Sequence, residues 1–586
     1  MDAKYYLHTK KCDFTGIGRR LGVDPVVVRL MYNRDVQPQD MAGFLNPGYQ
    51  DLHHPSLLPD AAEGARILAD RIRSGSTIRI IGDYDVDGVC AAYILYQGLR
   101  DLGADVDWRI PERERHGYGL HQELIDLAHA EGRQVILTCD NGISEHASIE
   151  RAKAYGMTVI VTDHHNVSET LPPADAVIDP KRKNADGSLS YPFTEICGAV
   201  VAMKFLQMLY AQALRDPDAP LAYLDIAALA TVCDVMPLTD ENRFIVSAGL
   251  KIMSCTRNMG LAALIRMNQI TDLKAWHFGF ILGPCINAAG RLKTADEAMK
   301  LLLADSEETA MKQALVLKEL NEQRKTLTEE GVREAFEETD RPAQAASKRG
   351  GTPDRVLVIH LPQCPDSIAG IVAGKVREKV YRPVLIATGT GDVLKGSARS
   401  IPGYSLFDEM AKEKDLFIKY GGHPLAAGFT IRRENLDLLR KKLNKNCSLT
   451  DDELTEKKYI DIRMPLSYVS IPLLEQISLL EPYGTGNPAP VFAERSCILT
   501  HAVRIGKERN YLRFTLRTAD GFRTQAVYFG DADAFLNTYR NAFGRDEEEN
   551  LLRAAGRRAV SFTYDPQIHT YRGETGISFK IKDFIF

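Results

Sequence analysis

No stretch of this 586-residue chain approaches the about 18 consecutive apolar residues that a membrane-spanning helix needs. Its opening residues, Met1-Asp2-Ala3-Lys4-Tyr5-Tyr6, lack the apolar core of a secretory signal. The expectation is a cytoplasmic protein, neither exported by that route nor embedded in a membrane. Cysteine pairing is missing as well: the ten cysteines, among them Cys90, Cys139, Cys233 and Cys447, are scattered with no CxxC pair, which favours reduced thiols over disulfides or zinc. Nor is there an excess of positive charge. At a net −5, any nucleic-acid footprint must come from Lys and Arg gathered locally, so charge alone neither supports nor excludes DNA. Hydrophobic content of 45% and charged content of 26% are those of an ordinary globular protein. The length suggests about three or four domains.

The most informative stretch present is Gly82-Asp83-Tyr84-Asp85-Val86-Asp87-Gly88. It follows a β-like apolar run, Ile78 to Ile81, and precedes a helical pattern, Val89 to Leu99. Carboxylates at alternate positions on such a turn raise one another's pKa and destabilise the fold unless a cation sits among them. No Glu stands where an EF-hand loop would end, and the flanks are strand then helix.

The pattern recurs. A run from Gln134 to Thr138 ends in Cys139-Asp140-Asn141-Gly142, and one from Met157 to Thr162 ends in Asp163-His164-His165. A helical pattern from Leu221 closes with Thr231-Val232-Cys233-Asp234. The intervening segments, Glu123 to Glu131 and Glu145 to Tyr155, read as helices. Each motif alone also reads as a helix N-cap or a polar turn. In a parallel α/β sheet, however, the carboxyl ends of the strands open on one crevice, which would gather Asp83, Asp85, Asp87, Asp140, His164 and Asp234. Carboxylates with imidazole and no thiolate suit Mg²⁺ or Mn²⁺. Two such ions activate an attacking water, stabilise a leaving oxygen and neutralise a phosphate, which is the chemistry a phosphodiester requires.

With these motifs the chain resembles the DHH phosphoesterase superfamily and, within it, the RecJ family of single-strand-specific exonucleases. Further stretches carry the resemblance: Ile110-Pro111-Glu112-Arg113 leading to Gly117-Tyr118-Gly119, Gly283-Pro284-Cys285-Ile286-Asn287-Ala288-Ala289-Gly290-Arg291-Leu292, Gly396-Ser397-Ala398-Arg399-Ser400, Gly421-Gly422-His423-Pro424 with Ala426-Ala427-Gly428-Phe429, and Pro482-Tyr483-Gly484-Thr485-Gly486-Asn487-Pro488. The resemblance implies two Mn²⁺ or Mg²⁺ ions bridged by Asp140, one held by Asp83 and Asp85, the other by Asp87, His164 and Asp234. It implies catalytic roles for His165 near the scissile phosphate, Asp163 orienting the histidines, and His423 on the phosphate. Arg113, Ser397 and Arg399 are expected to hold a terminal phosphate, with Asn287, Arg291, Gly421 and Gly422 also lining the substrate path.

The expected fold class is α/β. Residues 1–55 read as a helical segment, 56–304 as a DHH-type parallel-sheet catalytic lobe and 305–340 as one long connecting helix, with Leu315, Leu317, Leu320 and Leu327 at helical spacing. Residues 341–354 have linker composition. A smaller α/β lobe with the Gly-Gly-His motif follows over 355–447, and 448–586 read as a C-terminal all-β OB-fold, suited to holding a single strand. The implied activity is 5′→3′ hydrolysis of single-stranded DNA in repair and recombination, with a helicase and a single-strand-binding protein as partners. Two alternatives are a phosphodiesterase acting on short oligonucleotides or nucleotide second messengers, and a catalytically inactive replication scaffold. Two departures from the family pattern stand out: Cys285 occupies an expected Arg position, and Cys364-Pro365-Asp366-Ser367-Ile368-Ala369-Gly370 replaces a Trp-His-Glu-Gly opening.

Overall fold

The computed structural model describes residues 3–113, 119–184, 186–348, 353–571 and 574–586. The chain divides into two compact units, one of residues 49–456 and one built from residues 1–48 together with 457–586.

In the first unit the sheet consists of β1 (Thr77–Ile81), β2 (Asp105–Arg109), β3 (Val135–Cys139), β4 (Thr158–Thr162) and β5 (Ala176–Ile178), in the order β2-β1-β3-β4-β5. All pairings are parallel. β3 and β4 are buried along their whole length, as strands covered on both faces must be. Alternate residues feed two cores. Ile78, Ile80, Val135, Leu137 and Ile160 meet α1 (Ala61–Arg73), α2 (Val86–Asp101) and α5 (Gly198–Gln212) on one face. Ile81, Ile136, Val159 and Val161 meet α3 (Gln122–Ala130) and α4 (His146–Ala154) on the other. Strand order reverses between β1 and β3, so the crevice beyond their carboxyl ends is the sheet's switch point, where open α/β sheets take ligands. Helix α6 (Leu224–Cys233) packs on α2 and α5 and brings its C-cap, Asp234, to that end.

A single helix, α7 (Glu307–Lys348), about 63 Å long at 1.5 Å per residue, carries the chain out of this lobe. It runs beyond residue 340 through part of the stretch expected as a linker; residues 349–352 of that stretch lie outside the described residues. The seam that fixes it is Ala310, Ala314 and Leu317 in the first core and Val332 and Ala335 in the next. Of the four leucines, Leu317 is buried and Leu320 and Leu327 pack against these cores, whereas Leu315 is on the exposed side. The second lobe holds β6 (Leu357–Leu361), α8 (Asp366–Val380), β7 (Val384–Thr388), β8 (Val393–Arg399), β9 (Phe417–His423) and β10 (Ala426–Arg432), with sheet order β9-β10-β8-β7-β6.

In the other unit, β11 (Phe492–Ile505), β12 (Tyr511–Arg517), β13 (Arg523–Tyr528), β14 (Ala559–Tyr571) and β15 (Glu574–Ile585) lie in the sheet order β11-β12-β13-β15-β14, and β14 pairs back to β11. The ring is closed, which removes its edges, as the OB-fold expectation requires. Helices Ala532–Phe543 and Arg545–Leu552 are inserted between β13 and β14. The N-terminal helical segment does not stand alone. Strand Lys4–Leu7 pairs parallel with Lys457–Ile460, and Ile17, Val27, Leu30 and Met31 share one core with Leu512, Phe514 and Phe562 of the barrel. Inside that core, the Asn33 amide donates to the Asp461 carbonyl at 3.0 Å.

Candidate metal centre and substrate crevice

The acidic turn after β1 enters α2 directly. Asp85 caps that helix, its Oδ1 accepting the backbone N–H groups of Asp87 at 3.0 Å and Gly88 at 3.1 Å. Capping and ion holding are compatible, since a carboxylate has lone pairs enough for both. Asp87 reaches the N-terminus of α5, where Oδ2 accepts from Gly198 N at 2.6 Å and Oδ1 from Ala199 N at 2.8 Å.

Asp140 follows β3 with φ +60°, a left-handed conformation that a non-glycine residue rarely adopts. Its N–H donates to Thr162 O at 3.0 Å, and buried Asn141 donates from Nδ2 to Ile81 O (3.3 Å) and Cys139 O (3.2 Å). The ends of β1, β3 and β4 are thereby tied together. After β4, Asp163 accepts at Oδ1 from His164 N and from His165 Nδ1, both at 2.8 Å, and at Oδ2 from Ile143 N at 2.9 Å. Of the two histidine rings, it contacts that of His165.

Among these groups, His164 Nε2 lies 3.1 Å from Asp140 Oδ1, 3.5 Å from Asp87 Oδ2 and 3.6 Å from Asp234 Oδ2. Three sets have donor atoms within 4.8 Å of one another: Asp83, Asp85 and Asp140; Asp87, His164 and Asp234; and Asp140, His164 and His165. Asp140 and His164 each belong to two of them.

Burial, followed by the charges of the neighbouring carboxylates, holds the pKa of Asp83, Asp85 and Asp140 above the ordinary carboxylate value and pushes that of Asp234 up to about 9. Burial lowers that of His164. For Asp163, burial is outweighed by its bond to His165, and its pKa falls. For His165, burial opposes the proton, but Asp163 and then Asp87 and Asp85 outweigh it, and its pKa rises. Asp83 Oδ1, Asp234 Oδ2 and both ring nitrogens of His164 are buried without a hydrogen-bond partner among the described residues. Buried oxygens and neutral imidazole nitrogens with nothing to bond are what hard divalent cations require. The residues present fit a pair of such ions.

The second lobe supplies cations on a flat sheet face. Register places Ser397 opposite Gly428 and Gly428 opposite Gly421, with Lys395, Thr430 and Lys419 forming the next row on the same side. These residues and Arg113 line a pocket of about 350 Å³. Arg113 lies over the Tyr84 ring at 5.1 Å. Arg399 donates to Ala398 O at 2.9 Å, and a side chain on Gly370 would press on its guanidinium at 2.9 Å. Arg291 joins the lobes, donating to Ser367 O at 2.7 Å; burial and then the charges of Arg113 and Arg324 lower its pKa to about 10. Asn287 is half-buried one turn before Arg291.

Gly421, Gly422 and His423 are exposed at the end of β9, and Gly422 has φ +143°. His423 belongs to none of the ligand sets and does not line the 350 Å³ pocket. Gly117 and Tyr118 lie outside the described residues.

Sequence reading missed three features. Asp179, fully buried, follows the three-residue β5, has no partner at Oδ2, and has its pKa pushed to about 8 by burial and then by Asp163. Its signal was another apolar run closed by Asp, too short to register as a strand. Gly198 is the second: a Cβ there would sit 2.7 Å from that of Asp140. The third concerns Cys285, which is buried and accepts from Asn321 Nδ2 at 3.4 Å. Asn321 Oδ1 in turn accepts from Arg324 Nε at 3.0 Å, so a guanidinium stands beside the position where one was expected. Asp366, in the replaced opening, pairs with Lys395 at 3.2 Å.

Comparison with known proteins divides the chain into three matched domains. The DHH family N-terminal domain matches residues 77–231, the DHHA1 domain 354–449 and the RecJ OB domain 460–583. The single-stranded-DNA-specific exonuclease RecJ of Thermus thermophilus is 35% identical over 509 residues, covering 85% of this chain and 71% of the relative. That of Bacillus subtilis is 31% identical over 513 residues, and the match spans only 62% of its length. The crystal structure of Thermus thermophilus RecJ in complex with Mn²⁺ superposes with a TM-score of 0.82 at 27% identity, covering all of this chain and 79% of the other. Three domain matches in the same order, over a site whose donor groups fall at the strand ends, leave one conclusion: this chain belongs to the RecJ family.

Proposed function

We propose that the protein is a metal-dependent exonuclease that hydrolyses single-stranded DNA from its 5′ end. The observation that carries this reading is the gathering of Asp83, Asp85, Asp87, Asp140, His164 and Asp234 at the switch point, where Asp83 Oδ1, Asp234 Oδ2 and both His164 ring nitrogens are buried without a hydrogen-bond partner among the described residues. Mn²⁺ or Mg²⁺ would occupy it, with Asp83, Asp85 and Asp140 as one donor set, Asp87, His164 and Asp234 as the other, and Asp140 shared. When bound, two such ions activate water and neutralise the phosphate and leaving oxygen.

The protein's own groups do the rest. Asp87 is fixed by the α5 N-terminus, and Asp163 holds His165 through Nδ1. His165 would hold a proton for the leaving oxygen through its other ring nitrogen. Arg113, Ser397 and Arg399 would bind the terminal phosphate, and His423, Gly421, Gly422, Asn287 and Arg291 the strand behind it. On the barrel, exposed Phe529 stands 5.3 Å from the Tyr511 ring, with the Lys580 amine 5.8 Å from the Phe529 centroid, a pairing suited to stacking and phosphate contact.

We read 56–304 as the catalytic domain, 305–340 as the connector, 355–447 as the substrate-binding domain and 448–586, with the N-terminal segment added, as the strand-holding part. A helicase and a single-strand-binding protein as partners, a cytoplasmic location and a role in repair and recombination belong to the same proposal. Among the described residues no helix is long and apolar enough to cross a membrane. The retained donor set speaks against an inactive scaffold, and the barrel against a substrate of one or two nucleotides. Digestion with Mn²⁺ of single strands labelled at either end, beside the matching duplex, tests the reading. Stepwise release from the 5′ end of the single strand alone is expected; release from the 3′ end, or equal cutting of duplex, would refute it.

A further inference from the structure

The exposed face of the second lobe's sheet is a grid of three rows. Side chains on one face recur at every second residue, and the register aligns them across β9, β10 and β8. His423 stands beside Ala426 and Arg399, Gly421 beside Gly428 and Ser397, and Lys419 beside Thr430 and Lys395. The middle row is open. A Cβ on Gly421 would meet nothing within 4 Å, and one on Gly428 only Gly396 O at 4.0 Å. At about 3.3 Å per residue, the Arg399 and Lys395 rows lie about 13 Å apart. Cations therefore flank a floor nearly bare of side chains.

The 350 Å³ pocket over this grid is not centred on Arg399. Its lining takes in Ser397 and, from the other lobe, Arg113, and it runs on to Lys395, Thr430 and Lys419 without reaching Arg399. Burial and then the charges of Arg377 and Arg113 lower the Arg399 pKa, so three guanidiniums bear on one end of the grid. At the other end, Lys419 is exposed and has no ion pair among the described residues. The one carboxylate of the described lining, Asp366, meets the Lys395 amine at 3.2 Å, with the Lys395 side chain 59% exposed. An ion pair that open to water holds little energy, and a phosphate competes for the same amine as a stronger anion.

We propose that the protein accepts a single strand whose 5′ end carries a triphosphate, with the outer phosphoryl groups held by Lys395, Thr430 and Lys419. The proposal rests on the nuclease reading above and names the class of strand end that the site takes. A monophosphate bound by Arg113, Ser397 and Arg399 fills one end of the trough and leaves the lysine row unused. Two further phosphoryl groups extend over the middle row, where no side chain stands in their way, and end among the amines. The hydrolytic step is unchanged. Water adds to the phosphorus joining the first two nucleotides, the bond from that phosphorus to the 3′ oxygen of the first nucleotide breaks, and that oxygen takes a proton. The first product is then a nucleoside 5′-triphosphate, and the shortened strand begins with an ordinary 5′-monophosphate. Triphosphate ends are made wherever a strand is started from a nucleoside triphosphate instead of being extended from an existing end.

The test is digestion by the full-length protein, in Mn²⁺, of oligothymidylates carrying a 5′-triphosphate, a 5′-monophosphate or a 5′-hydroxyl. Mass spectrometry should find thymidine triphosphate as the first product of the triphosphate strand and thymidine monophosphate afterwards. In the double variant Lys395→Gln with Lys419→Gln, kcat/KM on the triphosphate strand is expected to fall by about 10- to 100-fold relative to that on the monophosphate strand. Lys395→Arg with Lys419→Arg should restore the ratio. A triphosphate strand left intact while the monophosphate strand is digested overturns the proposal. So does pyrophosphate as the first product, or an equal loss on both strands in the glutamine variant. A wild-type protein that digests none of the three strands overturns the nuclease reading along with it.

Discussion

Asp87 Oδ2 accepts the Gly198 N–H at 2.6 Å, and a Cβ on that same glycine would lie 2.7 Å from the Cβ of Asp140. One residue at the start of α5 therefore fixes one candidate ligand and leaves room for another. Gly198→Ala is expected to displace Asp140 or the helix end, an overpacking that costs about 1–3 kcal/mol. We expect apparent Mn²⁺ affinity to fall about tenfold or more with the melting temperature in chelator only slightly lower, read by calorimetric titration. Wild-type metal affinity in the variant would remove Gly198 from the site.

Asp140→Ala should abolish hydrolysis. In chelator the variant should be as stable as wild type or more so, since one buried carboxylate is gone from a mutually repelling group. The increase in melting temperature that Mn²⁺ gives wild type, by binding only the folded state, should largely disappear. Appreciable turnover in saturating Mn²⁺ would be incompatible with Asp140 serving both donor sets.

The same carboxylates give stability a pH slope. Asp234 is held up to about 9 and Asp179 to about 8, burial being the first cause for both, whereas an unfolded Asp ionises near about 4. Between those values the folded, metal-free protein keeps protons that the unfolded chain releases. Stability therefore declines as pH rises from about 4 towards about 9. Melting temperatures in chelator should fall over that range, and saturating Mn²⁺, which favours ionised ligands, should flatten the curve. A rising curve in chelator would contradict the protonated, buried state of these groups.

Asp163 and His165 make a coupled prediction. Asp163 holds the His165 proton, so activity that needs the imidazolium should persist above the usual imidazole range and fall on the alkaline side. Asp163→Asn should move that alkaline limb to lower pH and reduce kcat by about 10- to 100-fold. An unchanged pH profile would restrict Asp163 to a structural role.

Arg399→Ala should weaken use of a 5′-phosphorylated strand by about 10- to 100-fold, the worth of one charge-assisted contact, and affect a 5′-hydroxyl strand much less. Equal losses on both would assign Arg399 to the backbone at large.

How far the sequence discloses all this depends on whether the signal is local. Asp83, Asp140 and Asp163 each follow a run of buried β-branched or aliphatic residues, so the strand end and the chemistry are read together. Asp179 escapes because β5 contributes three residues, too few for a period to show. Helix α7 passes Pro342, whose residue type argues for a stop. The packing of Ile17, Val27 and Leu30 on Phe514 joins residues nearly 500 positions apart, and no local pattern announces it. That contact also decides which truncation can test whether strand holding and chemistry are separable. Removing 457–586 alone would strip the N-terminal helices of their core, whereas a 49–456 protein keeps its own cores and should still cut short oligonucleotides. Loss of activity on short and long strands alike in the 49–456 protein would count against separable roles.

The parallel pairing of Lys4–Leu7 with Lys457–Ile460 has a consequence during synthesis. Residues 1–48 belong to a body whose remaining parts are translated about 400 residues after them. At about 5–20 residues per second, the N-terminal helices wait roughly 20–80 seconds for their partner, their apolar faces open to chaperones. The 49–456 unit can be complete before the barrel of the other unit is made. If the proposed roles hold, a nascent chain acquires the candidate metal centre before it acquires the barrel.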